Sequence, residues 1–152
     1  IQASCITQHV FRGFTAMLNH WAIQYLGKPW VSGAQGPEAY DCWSLVRAVY
    51  RDQFNITDLP AFITDATDTA QVQAMFDGNQ EFSNWRQIDS PIEGDAVITM
   101  NGQRPEHVGI WLALDGGKIL QCVYGAGVVA ASVAATRRVI GQHLQFWRRH
   151  AG

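Results

Sequence analysis

Asp115-Gly116-Gly117 separates two apolar runs, Val108–Leu112 and Lys118–Tyr124. A Gly pair after Asp supplies the positive φ that a tight reversal needs, so the two runs read as neighbouring antiparallel strands. That hairpin limits the fold more than any other feature. Ala96–Met100 has the same character and reads as the strand before it. Val128–Val133 and Leu144–Arg148 offer two more after it.

The half before Gly94 has a helical pattern instead. From about Phe11 to Leu26, Phe14, Leu18, Trp21 and Tyr25 fall on one face, and Gly27 and Pro29 end the run. Gly33-Ala34-Gln35-Gly36-Pro37 is a loop by its Gly and Pro content. A second helix is predicted from Cys42, with Asp41 as its N-cap and Cys42, Leu45, Val46 and Val49 on one apolar face. Asp68 is expected to cap a short helix through Gln71–Phe76 that Gly78 ends. Helices first and consecutive strands after them predict an α+β fold, with N-terminal helices packed on an antiparallel sheet. Of the 152 residues 47% are hydrophobic and 16% charged, which suits one domain over residues 1–152 with a sizeable core. The start at Ile1 rather than Met leaves room for residues 1–10 to be a leader or the remnant of a longer chain.

The formal net charge is -2, and the basic residues cluster only as Arg137, Arg138, Arg148 and Arg149. Nucleic acid is therefore not an expected partner. No apolar run is long enough to span a bilayer and no signal-peptide pattern is visible, so no membrane partner is expected either. The three cysteines, Cys5, Cys42 and Cys122, are an odd count that argues against a disulfide scaffold, though a Cys5–Cys122 pair stays open. No CxxC, HExxH or HxxxH spacing occurs, so neither a metal nor a cofactor is expected.

Cys42 is the first candidate for chemistry. A thiolate is the nucleophilic form, and a helix N-terminus lowers a thiol's pKa while its free N–H groups can hold an oxyanion. The plain alternative is a small buried hydrophobe. His107 begins a predicted strand after a Pro105-Glu106 loop. It becomes a base of interest only if a third group orients its ring. Gln121, on the returning strand, is that group if the turn centres near Leu114. A turn centred on Gly116 offsets the two, and the register is open. Cys122 should then point away from the side that Gln121 faces.

These residues sit in blocks that resemble a known family. Tyr25-Leu26-Gly27-Lys28-Pro29-Trp30, Gly33, Gly36-Pro37 and Tyr40-Asp41-Cys42-Trp43-Ser44-Leu45-Val46 are similar to the start of NlpC-type cell-wall peptidases. Glu93-Gly94-Asp95-Ala96-Val97, His107-Val108-Gly109-Ile110 and Gly116-Gly117-Lys118-Ile119-Leu120-Gln121 continue the likeness in order, over about residues 20 to 124. The Asp-Cys-Trp variant and the closing Phe146-Trp147-Arg148-Arg149 most resemble tail-tip peptidases of long-tailed phages and related gene-transfer particles. The resemblance implies a papain-like fold and hydrolysis of amide bonds in the peptide stem of peptidoglycan. The bond implied joins the side-chain carboxyl of D-glutamate to a diamino acid. By position it makes Cys42 the nucleophile, His107 the base and Gln121 the orienting residue, with Trp30, Asp41 and Trp43 on the substrate side. Three positions depart from the common pattern: Ser44 replaces a Gly, Trp30 a Tyr, and Gln121 the more frequent His. The indole N–H of Trp30 can donate to an oxyanion where the Tyr hydroxyl is missing.

The expected partners are the peptidoglycan stem peptide and other phage tail proteins. The expected location is a virion tail, or the extracellular or periplasmic side of a bacterial wall. The rival readings are a non-catalytic tail or wall-binding module, which the aromatic content suits, and an amidase toxin or acyltransferase of the same fold.

Overall fold

Helix α1 (Cys42–Phe54) begins where its sequence places the start, after the Asp41 cap. The Asp41 carboxylate accepts the Ser44 backbone N–H at 2.9 Å, and the Ser44 hydroxyl accepts the Asp41 N–H at 2.9 Å. This reciprocal box satisfies donors that a helix start otherwise leaves free. It also gives Ser44, where the family pattern has Gly, a structural task. Asn55 closes the helix in the left-handed conformation, φ 55°, which Asn tolerates better than most residues.

The computed structural model describes residues 16–62, 67–76 and 80–150. Six strands form one antiparallel sheet: β1 (Trp85–Ile88), β2 (Ala96–Asn101), β3 (Arg104–Leu112), β4 (Lys118–Val123), β5 (Gly127–Ala131) and β6 (His143–Arg149). Their spatial order is β1-β6-β2-β3-β4-β5. Two further helices are α2 (Asp68–Phe76) and α3 (Val133–Val139). Helix α1 lies against β3 and β4, and α2 against β3. The core joins Leu45, Val46 and Val49 of α1 to Ile98, Val108, Ile110 and Leu120 of the sheet. The α+β expectation therefore holds, with helices on an antiparallel sheet. Among the described residues no helix is long and apolar enough to cross a membrane.

Several local expectations need correction. The helix predicted from Phe11 to Leu26 is not continuous. Residues 16–18 are helical, His20 is extended, and a 3-10 helix runs over Trp21–Gln24. The break has a cause in His20, whose Nδ1 accepts the Ala22 N–H while its Nε2 sits 3.0 Å from Glu93. Phe11 to Phe14 lie outside the described residues, as does Gly78. The strand expected to reach Val133 stops at Ala131, because Ser132 caps α3 with its side chain. Strand β1 was not expected. Its four residues carry little pattern, and they are held by pairing with β6. Pro105 and Glu106 belong to β3 rather than to a loop. Pro105 is accommodated where the pairing with β2 shifts register between Thr99 and Met100, one of the few places a strand accepts proline.

Arg148 and Arg149 of the basic C-terminal cluster have partners within the fold. Arg148 makes two 2.8 Å hydrogen bonds to the buried Asp95 carboxylate, and Arg149 pairs with Glu81 and Asp58. Because α1 carries its burial through Leu45, Leu45→Ala should lower the unfolding free energy by about 2–5 kcal/mol. Cys42→Ala, at the helix's first residue, should cost about 1–2 kcal/mol. Urea unfolding of the two variants beside the parent checks the ordering.

Candidate active site

The strand register decides which side chains meet. Ile110 pairs with Leu120, Trp111 with Ile119 and Leu112 with Lys118, so Gly109 rather than His107 stands opposite Gln121. The turn therefore centres on Asp115, between the two alternatives, and offsets His107 from Gln121. Even so, His107 Nε2 and Gln121 Oε1 are 3.0 Å apart, because a diagonal neighbour two residues on shares the same face. Gly109 makes the reach feasible. A Cβ there would lie 2.8 Å from the Leu120 carbonyl oxygen and 3.2 Å from Gln121 Cβ.

A hydrogen-bond chain sets the polarity of this pair. Thr136 of α3 donates its hydroxyl to the Ser132 carbonyl at 2.9 Å, so its oxygen accepts from Gln121 Nε2, also at 2.9 Å. The Gln121 amide is thereby oriented with its oxygen toward His107. That oxygen only accepts, so Nε2 of His107 carries the hydrogen and Nδ1 keeps its lone pair. Thr136 is 2% exposed and Gln121 1%. Nothing in the linear sequence singles out Thr136. Its signal, a Ser-x-x-x-Thr spacing at a helix start, is common in caps.

Cys42 Sγ, a ring nitrogen of His107 and a carboxylate oxygen of Asp68 lie within 4.8 Å of one another. Thus the three residues proposed for catalysis converge, at the junction of α1, β3 and β4, and a fourth joins them. From sequence alone Asp68 is the expected cap of α2. Thr67 performs that task instead, its hydroxyl accepting the Ala70 N–H at 3.1 Å, which leaves the Asp68 carboxylate free to face the thiol. One oxygen of Asp68 accepts the Cys42 backbone N–H at 3.2 Å and the other accepts the Trp30 indole N–H at 2.8 Å. Both donors that the sequence offers for an oxyanion are therefore held by a carboxylate of the chain itself.

The electrostatics follow from this closure. Burial pushes the Cys42 thiol well above its ordinary range, and the neighbouring Asp68 charge pushes it further, against a backbone hydrogen bond with Val108. The expected lowering by the helix N-terminus is outweighed. Burial also lowers His107 below its ordinary value of 6.5, with Asp68 and the Gln121 hydrogen bond opposing. At neutral pH the resting pair is a neutral thiol and a neutral imidazole.

The remaining sequence candidates lie as follows. Trp30 is half-buried beside the site, its ring edge-on to the exposed Tyr124 at 5.0 Å. Asp41 and Trp43, taken as substrate-facing, are both 1% exposed. Asp41 is committed to Ser44, Gly33 and Gln71. Trp43 donates to the Pro60 carbonyl at 2.8 Å and packs on Phe62, so its bulk serves the core. Cys122 is a free, buried thiol facing the Tyr40 carbonyl at 3.2 Å, away from the face of Gln121. Cys5 lies outside the described residues.

Residues 27–148 match the model of the NlpC/P60 family. Two solved structures are similar in fold. One is the NlpC/p60 domain of the peptidoglycan hydrolase SagA, with 21% identity, a TM-score of 0.55, and coverage of 82% of this chain and 91% of that one. The other is a lipoprotein-like member of the NLP/P60 family from Staphylococcus aureus subsp. aureus Mu50, with 22% identity and a TM-score of 0.52. There the match covers 86% of this chain and 39% of the staphylococcal one, so this chain spans well under half of that protein. No curated protein matches the chain by sequence.

Two outcomes follow from the shifted groups. Alkylation of Cys42 by iodoacetamide should be slow at neutral pH and accelerate as pH rises, the reverse of an acid-reactive thiol; a rate that is already maximal in mild acid would contradict the geometry. Below about pH 6.5 the unfolded imidazole binds a proton that buried His107 refuses, so stability should fall as pH falls through that range. His107→Gln should flatten this slope, read as the difference in urea midpoints between about pH 7 and 5.5.

Proposed function

We propose that this chain, which belongs to the NlpC/P60 family, is a cysteine peptidase or amidase that hydrolyses peptide-stem amide bonds of bacterial peptidoglycan. The observation that carries the reading is the fixed polarity of the Ser132–Thr136–Gln121–His107 chain. It leaves one imidazole lone pair available beside a cysteine at a helix start. A purely structural histidine has no need of such an arrangement.

The chemistry then runs as acyl transfer. The substrate carbonyl replaces the Asp68 carboxylate at the Cys42 N–H and the Trp30 indole N–H. Withdrawal of that negative charge removes one of the two effects that hold the thiol neutral. His107 Nδ1 takes the Sγ proton, and sulfur attacks the amide carbon. The two N–H groups stabilise the oxyanion, each worth about 10²–10³ in rate. His107 returns the proton to the leaving amine, then activates the water that hydrolyses the thioester. Gln121 holds the ring throughout. Being neutral, its amide orients the imidazolium but stabilises it less than a carboxylate would.

Within this reading the scissile bond joins the D-glutamate side-chain carboxyl to a diamino acid. We place the enzyme in a phage or gene-transfer tail tip, or otherwise outside the bacterial cytoplasm, with other tail proteins as partners. Support for the tail assignment is the Asp41-Cys42-Trp43 variant and the Phe146-Trp147-Arg148-Arg149 ending. One observation favours a second reading, a non-catalytic wall-binding module: Cys42 is fully buried and its N–H is already occupied.

Digestion of purified peptidoglycan, with fragments identified by mass, separates the two. The parent should release stem-peptide fragments. Cys42→Ala and His107→Ala should release none while keeping the fold, and Gln121→Ala should retain partial activity. Asp68→Ala should accelerate Cys42 alkylation at pH 7, by about tenfold for each unit its pKa drops. Wall binding without cleavage by the parent and by Asp68→Ala would favour the binding module.

A further inference from the structure

Cys42, His107 and Asp68 come from α1, β3 and α2, and their donor atoms lie within 4.8 Å of one another. Among the described residues this is the one such convergence of His, Cys and carboxylate groups. A thiolate, an imidazole nitrogen and a carboxylate oxygen are the three donor types that zinc prefers. Tetrahedral zinc, with bonds of about 2.0–2.3 Å, keeps its ligand atoms roughly 3.3–3.8 Å apart, so the trio needs to contract by little more than about 1 Å.

The surroundings fit a metal as well as the ligands do. His107 presents Nδ1 with its lone pair, because Gln121 holds the Nε2 hydrogen. A second partner on the far nitrogen is the usual support of a zinc-bound histidine. The Asp68 carboxylate is steadied by the Trp30 indole and the Cys42 N–H, each of which leaves its oxygen a further lone pair. No linear spacing rule detects such a site, since its ligands are dispersed over three elements.

We propose that Cys42, His107 and Asp68 form a zinc site, completed by water, whose occupation holds the closed arrangement and blocks the thiol. On binding, the Cys42 S–H bond breaks, a sulfur–zinc bond forms, and the proton leaves to solvent; no electron moves. Binding ties α2 to α1 and β3 through Asp68, so the substrate carbonyl cannot replace that carboxylate. Occupation therefore makes a latent form that a chelator reverses. The inhibitory consequence rests on the peptidase reading, whereas binding itself does not.

Metal-free protein titrated with Co²⁺ tests the site, since a cobalt-bound thiolate adds a charge-transfer absorption that free cobalt lacks. The parent should develop that band at one equivalent and lose it to Zn²⁺ in competition, while Mg²⁺, which prefers oxygen ligands, should not displace it. Cys42→Ala should abolish the band. Asp68→Asn should weaken Co²⁺ and Zn²⁺ binding by about tenfold or more, and Gln121→Ala by about 10–100-fold through loss of the ring's support. No band in the parent, a band that survives in Cys42→Ala, or equal affinity in Asp68→Asn would each overturn the proposal. In parallel, Zn²⁺ should stop peptidoglycan release and EDTA should restore it; release that continues with the site saturated would overturn the block. A parent that binds cobalt as described but cleaves no peptidoglycan even after EDTA treatment upholds the site and defeats the peptidase reading alone.

Discussion

The carboxylate of Asp41 is buried, and three segments of the chain supply its hydrogen bonds. Ser44 N–H gives the start of α1, Gly33 N–H gives the preceding loop, and the Gln71 side chain gives α2. A buried carboxylate without donors is costly, so these three segments must close around it together. That closure carries Trp30 and Asp68 to opposite ends of one interaction and sets Cys42 at the helix start beneath them. The candidate site therefore depends on a residue that is itself inaccessible to substrate.

Two electrostatic effects oppose each other at Cys42. The helix N-terminus favours a thiolate, typically by a fraction of a kcal/mol up to about 2 kcal/mol. Full burial and a neighbouring carboxylate disfavour it, and together they win. The Cys42 thiol is thus held neutral, with the Asp68 carboxylate on the two N–H groups that the proposed mechanism offers to a carbonyl oxygen. The same carboxylate makes the site responsive to whatever displaces or fixes it. In the proposed mechanism a substrate carbonyl displaces it, and in the proposed zinc site the metal fixes it.

The choice of Gln at position 121 brings a requirement of its own. An amide can present oxygen or nitrogen, and only the oxygen keeps the hydrogen on Nε2 of His107 and the lone pair on Nδ1. Thr136 removes that ambiguity, because its own hydroxyl is committed to the Ser132 carbonyl. Helix α3 is short, yet it determines which imidazole nitrogen holds the proton two strands away. Gly109 contributes from the other side by leaving room for the diagonal reach of Gln121.

Alternation, turn residues and caps act between near neighbours, so they were readable directly from the chain. They sufficed for the strand hairpin around Asp115-Gly116-Gly117, for α1 from its Asp41 cap, and for Cys42 at its first turn. Blocks around Cys42, His107 and Gln121 added the family. Pairing and packing across the fold lie beyond such local rules. Strand β1 exists only because β6 lies beside it, and the register that offsets His107 from Gln121 depends on how the whole sheet closes. Asp68 reads as a cap until Thr67 is seen to take that role, and Trp43 reads as a groove residue until Pro60 and Phe62 bury it. The thiol's protonation went against the sequence expectation for the same reason: a helix dipole can be inferred from a cap, whereas desolvation and the approach of Asp68 are properties of the assembled fold alone.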